Sequence, residues 1–248
     1  MTLSTKGPLR LIERLAGVKI IPKWRLADYP LARHLEHLFD THGITTVLDV
    51  GANAGQYGRF LREQVGFGGE ILSFEPDPAS FERLQASAGG DRHWHCFPHA
   101  LGDEESETQM NLMRDAVFNS LLAPREDQPF DQNRIRDRIT IQVRTLDGMW
   151  QALQGEFDLS SAYLKMDTQG YDLKVLRGAQ GSLPRLKALQ TELSFIGIYE
   201  GTPGYREVMD YLEERGFRLS NMQPVNIDPA GRLIEADGVF VNGAQTGG

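Results

Sequence analysis

The first half of the chain alternates between two hydrophobic spacings. Apolar residues recur every three or four positions and predict a helix over Tyr29–His42 and a shorter one over Leu9–Leu15. Apolar runs bounded by turn residues predict three strands, at "GITTVLDVG", "EILSFEP" and "RHWHCFPHAL". Two more helices are predicted between these strands, over "NAGQYGRFLREQVGFGG" with Asn53 as its N-cap, and over "PASFERLQASAGG". The first half therefore predicts a βαβαβ order.

The second half begins with a polar interruption. From Gly102 to Arg138 the chain is polar and irregular, with one strand predicted at Met110–Met113, and we interpret this segment as an insertion or loop over the sheet. Alternation then resumes, with strands at "ITIQVRTLD", "AYLKMDT" and "ALQTELSF" and short helices near Gly148–Leu153 and Leu173–Arg177. A helix over Tyr205–Arg215 precedes two closing strands, "GFRLSNMQ" and "GVFVNG".

This alternation predicts an α/β fold with a Rossmann-like, mostly parallel sheet and helices on both faces. Residues 1–45 are expected to form an N-terminal helical extension and residues 46–248 a single domain, because no linker separates two cores. In such sheets ligands bind outside the carboxyl ends of the strands. Five polar residues are predicted at or near those ends, namely Asp49, Glu75, His99, Asp167 and Glu192.

Composition narrows the class of protein. The 248 residues, 40% hydrophobic and 24% charged, are typical of a globular domain. A net charge of −8 and the lack of a long Lys/Arg run disfavour a nucleic-acid partner. Cys96 is the single cysteine, which excludes an internal disulfide and a cysteine-based zinc site. Charged residues interrupt the apolar N-terminal segment, so we expect a cytoplasmic protein without membrane insertion, in which "VKIIPKW" covers the sheet or meets a partner subunit of a homo-oligomer.

The stretch "VLDVGANAGQYG" joins the first predicted strand to the next helix. Gly51 and Gly55 suit a backbone that adopts a positive φ or lets a ligand approach closely, although two glycines can simply turn the chain. Their spacing lacks the middle glycine of the dinucleotide fingerprint, and no GK[ST] follows as in a P-loop. Asp49 adds a negative charge, which opposes a phosphate and favours an ammonium or a sulfonium group.

Glu75 ends the next strand, in "SFEPDP", where a ribose would arrive. A carboxylate accepts hydrogen bonds from both ribose hydroxyls, although an acid at this place can also cap the following helix. Together with Asp49 and the glycines, Glu75 favours a positively charged nucleoside, and S-adenosylmethionine is the obvious candidate cofactor. A nicotinamide-dependent dehydrogenase is the first alternative, and a non-catalytic binding protein with the same fold is the second.

Five segments in order, "VLDVGANAGQYG", "FEPDP", "ALGD", "VRTLD" and "LKMDTQGYDLKVLRGA", resemble the FkbM-type S-adenosylmethionine-dependent methyltransferases. The resemblance runs from about Thr46 to Phe240. It implies the class I methyltransferase fold, a seven-stranded sheet whose last strand is antiparallel, and transfer of the methyl group usually to a hydroxyl oxygen. The expected acceptor is a small molecule or glycan with a hydroxyl group, whose identity the sequence does not name, and no metal is assigned.

The resemblance also assigns residues to the cofactor. Around its methionine portion it places Asp49, Gly51, Asn53 and Gly55. On the ribose it places Glu75, and at the border of the adenosine Asp77, Ala100 and Leu101. The last three also have ordinary structural explanations, because Asp77 can cap a helix and the other two can belong to the core.

Three residues are candidates for the chemistry: Asp167, Glu192 and His99. Asp167 comes first, because it ends a strand and precedes "TQGYD", where it would face the transferred methyl group or the acceptor. Many relatives have DxEG here, and Gln169 replaces that glutamate, which weakens the case for a carboxylate pair or a metal site. Asn119 and Ser120 are expected to line the acceptor pocket or to form a loop turn, and Asp147 is expected to cap a helix.

Overall fold

A computed structural model of the protein describes residues 20–127 and 131–245, so the helix predicted over Leu9–Leu15 lies outside the described residues. The strands are β1 (Thr46–Val50), β2 (Glu70–Phe74), β3 (Trp94–Phe97), β4 (Ala100–Leu101), β5 (Ser106–Met113), β6 (Ile135–Arg144), β7 (Ala162–Met166), β8 (Ala188–Ser194), β9 (Phe217–Ile227) and β10 (Leu233–Asn242). The α-helices are α1 (Tyr29–His42), α2 (Gln56–Phe60), α3 (Pro78–Ala88), α4 (Leu146–Glu156), α5 (Asp172–Arg177) and α6 (Tyr205–Glu214). A π-helical turn over Leu61–Val65 continues α2.

Seven strands form the main sheet, in the order β3-β2-β1-β7-β8-β10-β9. The first five run parallel, and β10 is antiparallel to both of its neighbours. Every residue of β1 and β7 is buried, as expected for parallel strands whose two faces are both covered. The predicted mostly parallel sheet with an antiparallel closing strand is confirmed.

Helices pack on both faces of this sheet. Successive strand residues point to opposite faces, so Val47 and Leu48 belong to different cores. The core that contains Val47 includes residues of α1, α3 and the π-helical turn. The core that contains Leu48 includes residues of α4, α5 and α6. Within the described ranges, no helix is long and apolar enough to cross a membrane.

Two of the predicted helix caps are wrong. Gly55, with φ of 81°, is the cap residue of α2, whereas Asn53 has φ of 46° and its side chain does not cap the helix. Thr145 caps α4 by accepting a hydrogen bond from the backbone N–H of Gly148. The carboxylate of Asp147 instead accepts hydrogen bonds from the backbone N–H groups of Gly181 and Ser182, and so ties α4 to the loop after α5.

The polar segment between Gly102 and Arg138 is more ordered than its composition predicts. It contributes β5 and the start of β6 to a second, three-stranded sheet in the order β4-β6-β5. The strand predicted at Met110–Met113 is the buried end of β5, which begins at Ser106. The first half of β5 is partly exposed, so polar residues there are compatible with a strand, and the hydrophobic pattern missed them.

Candidate active site

A cleft of about 380 Å³ lies at the carboxyl ends of the parallel strands, between the main sheet and the second sheet. Its volume falls in the range of small-molecule sites. Seven of the predicted site residues line it: Gly51, Asn53, Glu75, His99, Ala100, Leu101 and Asp167. The two predicted acceptor-pocket residues, Asn119 and Ser120, lie on its wall as well. The structure therefore brings most of the predicted site together.

The loop after β1 makes the closest backbone approach in the site. Gly51 has φ of 77°, and a Cβ atom on it would lie 2.0 Å from the carbonyl oxygen of Asp167. The backbone N–H of Asp167 donates to the carbonyl of Val50 at 3.0 Å, which holds the ends of β1 and β7 together. Gly55 packs against Trp94 and Leu84 and is not on the cleft wall. The two glycines thus serve different purposes, a close approach at Gly51 and a turn at Gly55.

Glu75 is fixed by two backbone groups. Its Oε2 accepts a hydrogen bond from the N–H of Asn53 at 2.8 Å, and its Oε1 accepts one from the N–H of Asp77 at 2.9 Å. The positive φ of Asn53 belongs to the loop conformation that presents this N–H to the carboxylate. Burial raises the pKa of Glu75 to about 7. Each oxygen has further lone pairs, so the carboxylate can accept hydrogen bonds from a ligand in the cleft.

Asp49 lies beneath the loop and not on the cleft wall. It is wholly buried and accepts a hydrogen bond from the hydroxyl of Ser73 at 3.0 Å. Its Oδ1 is 3.3 Å from Nζ of Lys165, the residue opposite it on β7. The negative charge of Asp49, which was expected to attract a cationic ligand, is therefore already paired with Lys165.

Asp167 is an accessible acid of the cleft, at the end of β7. Its side chain is 41% exposed, and its Oδ2 lies 3.5 Å from Nζ of Lys165. The amide of Gln169 donates a hydrogen bond to Oδ1 of Asp167 at 3.0 Å. These two contacts give the carboxylate one orientation at the end of β7.

Gln169 links Glu192, the second acid predicted for the chemistry, to Asp167. Its amide lies 3.3 Å from Oε2 of Glu192, and its Oε1 accepts a hydrogen bond from the hydroxyl of Tyr199 at 2.8 Å. Glu192 does not line the main cleft, but a small separate cavity with Asp172. Burial, followed by the charge of Asp167, raises the pKa of Glu192 well above its ordinary value. Glu192 is therefore placed behind Gln169, away from a ligand in the main cleft.

His99 lies at the opposite end of the cleft from Asp167. It follows β3, and three strand spacings, about 14 Å, separate the ends of β3 and β7. Burial and the charge of Arg144 lower the pKa of His99, which favours its neutral form. This position suits contact with the far end of an elongated ligand better than contact with a group held at Asp167.

The remaining predicted residues, Asp77, Asn119 and Ser120, are held by hydrogen bonds to nearby groups. Asp77 accepts hydrogen bonds from the N–H groups of Ala79 and Ser80 and caps α3, which is the structural alternative considered for it. Asn119 accepts from the N–H of Met113, and the hydroxyl of Ser120 donates to the carbonyl of Gln169. The connection from β5 to β6 is thereby fastened to the cleft wall.

Sequence reasoning missed Lys165, which lines the cleft and contacts both Asp49 and Asp167. A signal was present, because a lysine in the middle of the apolar strand "AYLKM" must be paired if the strand is buried. Tyr57, Gln190 and Asp237 were also missed, and they line the same part of the cleft. Their positions depend on contacts between distant elements, which no local pattern reports.

Comparison with known proteins gives one family match and several more distant similarities. A family model described as the methyltransferase FkbM domain matches residues 49–219. The 2-O-methyltransferase NoeI of Sinorhizobium fredii (strain NBRC 101917 / NGR234) is 26% identical over 175 residues, 67% of this chain and 70% of that protein. The structure of methyltransferase FkbM from Methylobacillus flagellatus KT matches with a TM-score of 0.49 and 16% identity, over 80% of this chain and 43% of that one. Fibrillarin from Aeropyrum pernix, solved with natively bound S-adenosyl-L-methionine, matches with a TM-score of 0.43 and 13% identity, over 79% and 66% of the chains.

Proposed function

Because the chain belongs to the methyltransferase FkbM domain family, we propose that it transfers a methyl group from S-adenosylmethionine to a hydroxyl oxygen of a small-molecule or glycan acceptor. The chain is a methyltransferase with a class I methyltransferase fold. The observation that carries the proposal is the placement of Glu75 and Asp167 on one cleft wall, at the ends of β2 and β7, with the Gly51 loop between them. A ribose at Glu75 then directs the rest of the cofactor along the loop toward Asp167.

The residues of the cleft fit this cofactor. Glu75 offers free lone pairs to the two ribose hydroxyls, and Gly51 leaves its backbone open to the methionine portion. Ala100, Leu101 and His99 would border the adenine, at the β3 end of the cleft. The Asp167 carboxylate would face the positive sulfur, where a negative charge is favourable.

Bound S-adenosylmethionine would supply a methyl carbon that is activated by the positive sulfur. Asp167 would orient the acceptor hydroxyl and take its proton, while the oxygen would bond to the methyl carbon in place of the sulfur. The hydrogen bond from Gln169 and the neighbouring Lys165 hold the Asp167 carboxylate for this role. The second sheet and its connection would cover the cleft and exclude water.

The cleft wall also indicates the chemistry of the acceptor. Beside the predicted site residues it carries Asp28, Gln56, Tyr57, Phe60 and Asp237. Carboxylates and amides accept hydrogen bonds from hydroxyl groups, and aromatic rings pack against the nonpolar face of a ring. The negative charge of a phosphorylated acceptor would be repelled by the carboxylates of the wall. We therefore expect an uncharged acceptor with several hydroxyl groups. The absence of a nucleic-acid partner, a cytoplasmic location and a homo-oligomer stay predictions.

Thermal unfolding with candidate ligands tests the cofactor directly. We expect S-adenosylhomocysteine at a hundredfold excess over its Kd to raise the Tm by about 5–10 °C, since this excess adds about 2.7 kcal/mol to the free energy of unfolding. NAD at the same concentration should leave the Tm unchanged. Stabilisation by NAD alone would support the dehydrogenase alternative, and the absence of any shift with S-adenosylhomocysteine would contradict the proposal.

Cofactor affinity should depend on the ionisation of Glu75. The ribose hydroxyls donate to the carboxylate, so binding favours its charged form and affinity should fall as the pH decreases below about 7. Isothermal titration calorimetry between pH 6 and 8.5 should show the Kd for S-adenosylhomocysteine rising by up to about tenfold per pH unit on the acid side. Glu75→Gln should bind about 10–100-fold more weakly at pH 8 and lose most of this dependence. A Glu75→Gln protein with the unchanged pH profile would rule out a ribose at this carboxylate.

A further inference from the structure

A row of polar side chains crosses one face of the main sheet, over strands β2, β1, β7 and β8. Asp49 on β1 is in register with Ser73 on β2 and with Lys165 on β7, and Lys165 is in register with Gln190 on β8. Residues in register on parallel strands point to the same face. The row runs beneath α2, whose Tyr57 hydroxyl donates a hydrogen bond to Oε1 of Gln190 at 3.0 Å.

Among the described residues of this row, Lys165 is the cation, and it lines the cleft. Its side chain is only 7% exposed, and its Nζ lies 3.3 Å from Asp49 and 3.5 Å from Asp167. The Tyr57 ring centroid is 5.0 Å from the same nitrogen. Burial disfavours the charged form of Lys165, but Asp167 and Asp49 outweigh it and raise the pKa of the lysine above its ordinary value. The two carboxylates therefore favour the protonated ammonium form of Lys165.

Acidic groups surround this lysine from several elements. Asp49 on β1, Asp167 after β7 and Asp237 on β10 all act on Lys165. Burial and the charge of Asp167 raise the pKa of Asp237 to about 7. Asp167 is also near other buried acids, which are Asp172 after β7, Glu192 on β8 and Glu235 on β10. Lys165 is the positive charge beside this group of acids, so its loss would favour protonation of the neighbouring carboxylates.

We propose that Lys165 is a positioning residue of the methyl-transfer site, which neutralises Asp49 beneath the loop and holds the Asp167 carboxylate directed into the cleft. This inference rests on the proposed function, since it assigns a role to Asp167 in that reaction. The three charges of Asp49, Lys165 and Asp167 leave one net negative charge, which matches one sulfonium. Transfer of the methyl group would leave a neutral sulfur, and Asp167 would hold the acceptor proton, so the net charge of the site would not change.

Proton release on ligand binding tests this charge balance without any acceptor. Sinefungin carries an ammonium group where the cofactor carries its sulfonium, whereas S-adenosylhomocysteine is neutral there. Calorimetry at pH 7 in buffers of different ionisation enthalpy gives the protons released by each ligand. Subtracting the number of protons released by one ligand from that released by the other removes the contribution of Glu75, because both ligands place a ribose there.

We expect this difference to be at most about half a proton in the unchanged protein, because Asp237 lines the cleft with a pKa of about 7 and is half protonated at pH 7. In Lys165→Met one of the freed carboxylates takes up a proton, which the cationic ligand must expel, so sinefungin should release close to one proton more than S-adenosylhomocysteine. Lys165→Gln should behave in the same way and serves if the methionine variant does not fold. Lys165→Arg keeps the charge and should return the difference to the value of the unchanged protein.

Lys187→Met is the matched control, because it removes the same charge just before β8, at the opposite edge of the sheet. It should leave the difference between the two ligands unchanged. The role of Lys165 would be overturned if both Lys165→Met and Lys165→Gln showed the same difference in proton release between the two ligands as the unchanged protein. The proposed function would then still stand. An unchanged protein that binds neither ligand would overturn both.

Turnover supplies a second readout. With an active acceptor, Lys165→Met should lower kcat by about 10–100-fold at pH 7 and move the acid limb of the pH–rate profile upward by about one pH unit or more. The KM for S-adenosylmethionine should stay within about threefold. A purely structural role would lower the Tm and leave the acid limb in place, and that result would contradict the proposal.

Discussion

Replacing Asp167 by asparagine is expected to lower kcat by about 10²–10⁴-fold while the Kd for S-adenosylhomocysteine stays within about threefold. Asparagine keeps the size of the side chain and an oxygen that can accept the hydrogen bond from Gln169. It does not take a proton from a hydroxyl group, so the loss falls on the reaction step. The cofactor keeps its contacts with Glu75 and the Gly51 loop, so binding should change little.

Transfer of a labelled methyl group to a panel of hydroxyl-bearing acceptors measures kcat, and calorimetry measures the Kd. Asp158→Asn is the matched control, because this exposed aspartate precedes β7, at the opposite end of the same strand. It should stay within about twofold of the unchanged protein. Full turnover by Asp167→Asn with unchanged cofactor affinity would remove Asp167 from the chemistry.

Replacing Gly51 by alanine is expected to lower the affinity for S-adenosylhomocysteine by at least about 100-fold and the free energy of unfolding by about 2–5 kcal/mol. The new Cβ would lie 2.0 Å from the backbone carbonyl oxygen of Asp167, and φ of 77° is strained for any residue with a side chain. Backbone atoms do not turn aside as a side chain does. The ends of β1 and β7 must therefore separate, and the two parts of the site separate with them.

Gly66→Ala separates the effect of the strained φ from that of the close contact with Asp167. Gly66 has φ of 78° as well, but a Cβ atom there would meet nothing within 4 Å. It should lower the free energy of unfolding by about 1–2 kcal/mol and leave cofactor affinity unchanged. Urea unfolding and calorimetry on both variants provide the comparison. Equal losses in the two variants would mean that backbone strain alone, and not the close approach to Asp167, makes glycine necessary at position 51.

The main sheet and the floor of the site could be predicted from the sequence because their signals are local. Buried strands appear as short apolar runs, and Asp49, Glu75 and Asp167 each come at the end of such a run. Parallel strands bring their carboxyl ends to one edge, which is why Glu75 and Asp167 line one cleft. The close approach at Gly51 was likewise indicated by its residue type.

The remaining features depend on pairings that no single segment reports. β5 is half exposed, so its polar first half resembled a loop. Asp49 was expected to act on a ligand, but its partner Lys165 is brought to it only by the pairing of β1 with β7. Gln169 separates Glu192 from the cleft through a hydrogen bond that depends on tertiary packing.

A crystal structure of the complex with S-adenosylhomocysteine tests the central claim most directly. We predict that both ribose hydroxyls donate to Glu75 at about 2.7–3.0 Å, that the methionine portion lies along the Gly51 loop, and that the sulfur faces the Asp167 carboxylate across the space left for the acceptor. A ligand whose ribose is away from Glu75, or whose sulfur points away from Asp167, would contradict this account.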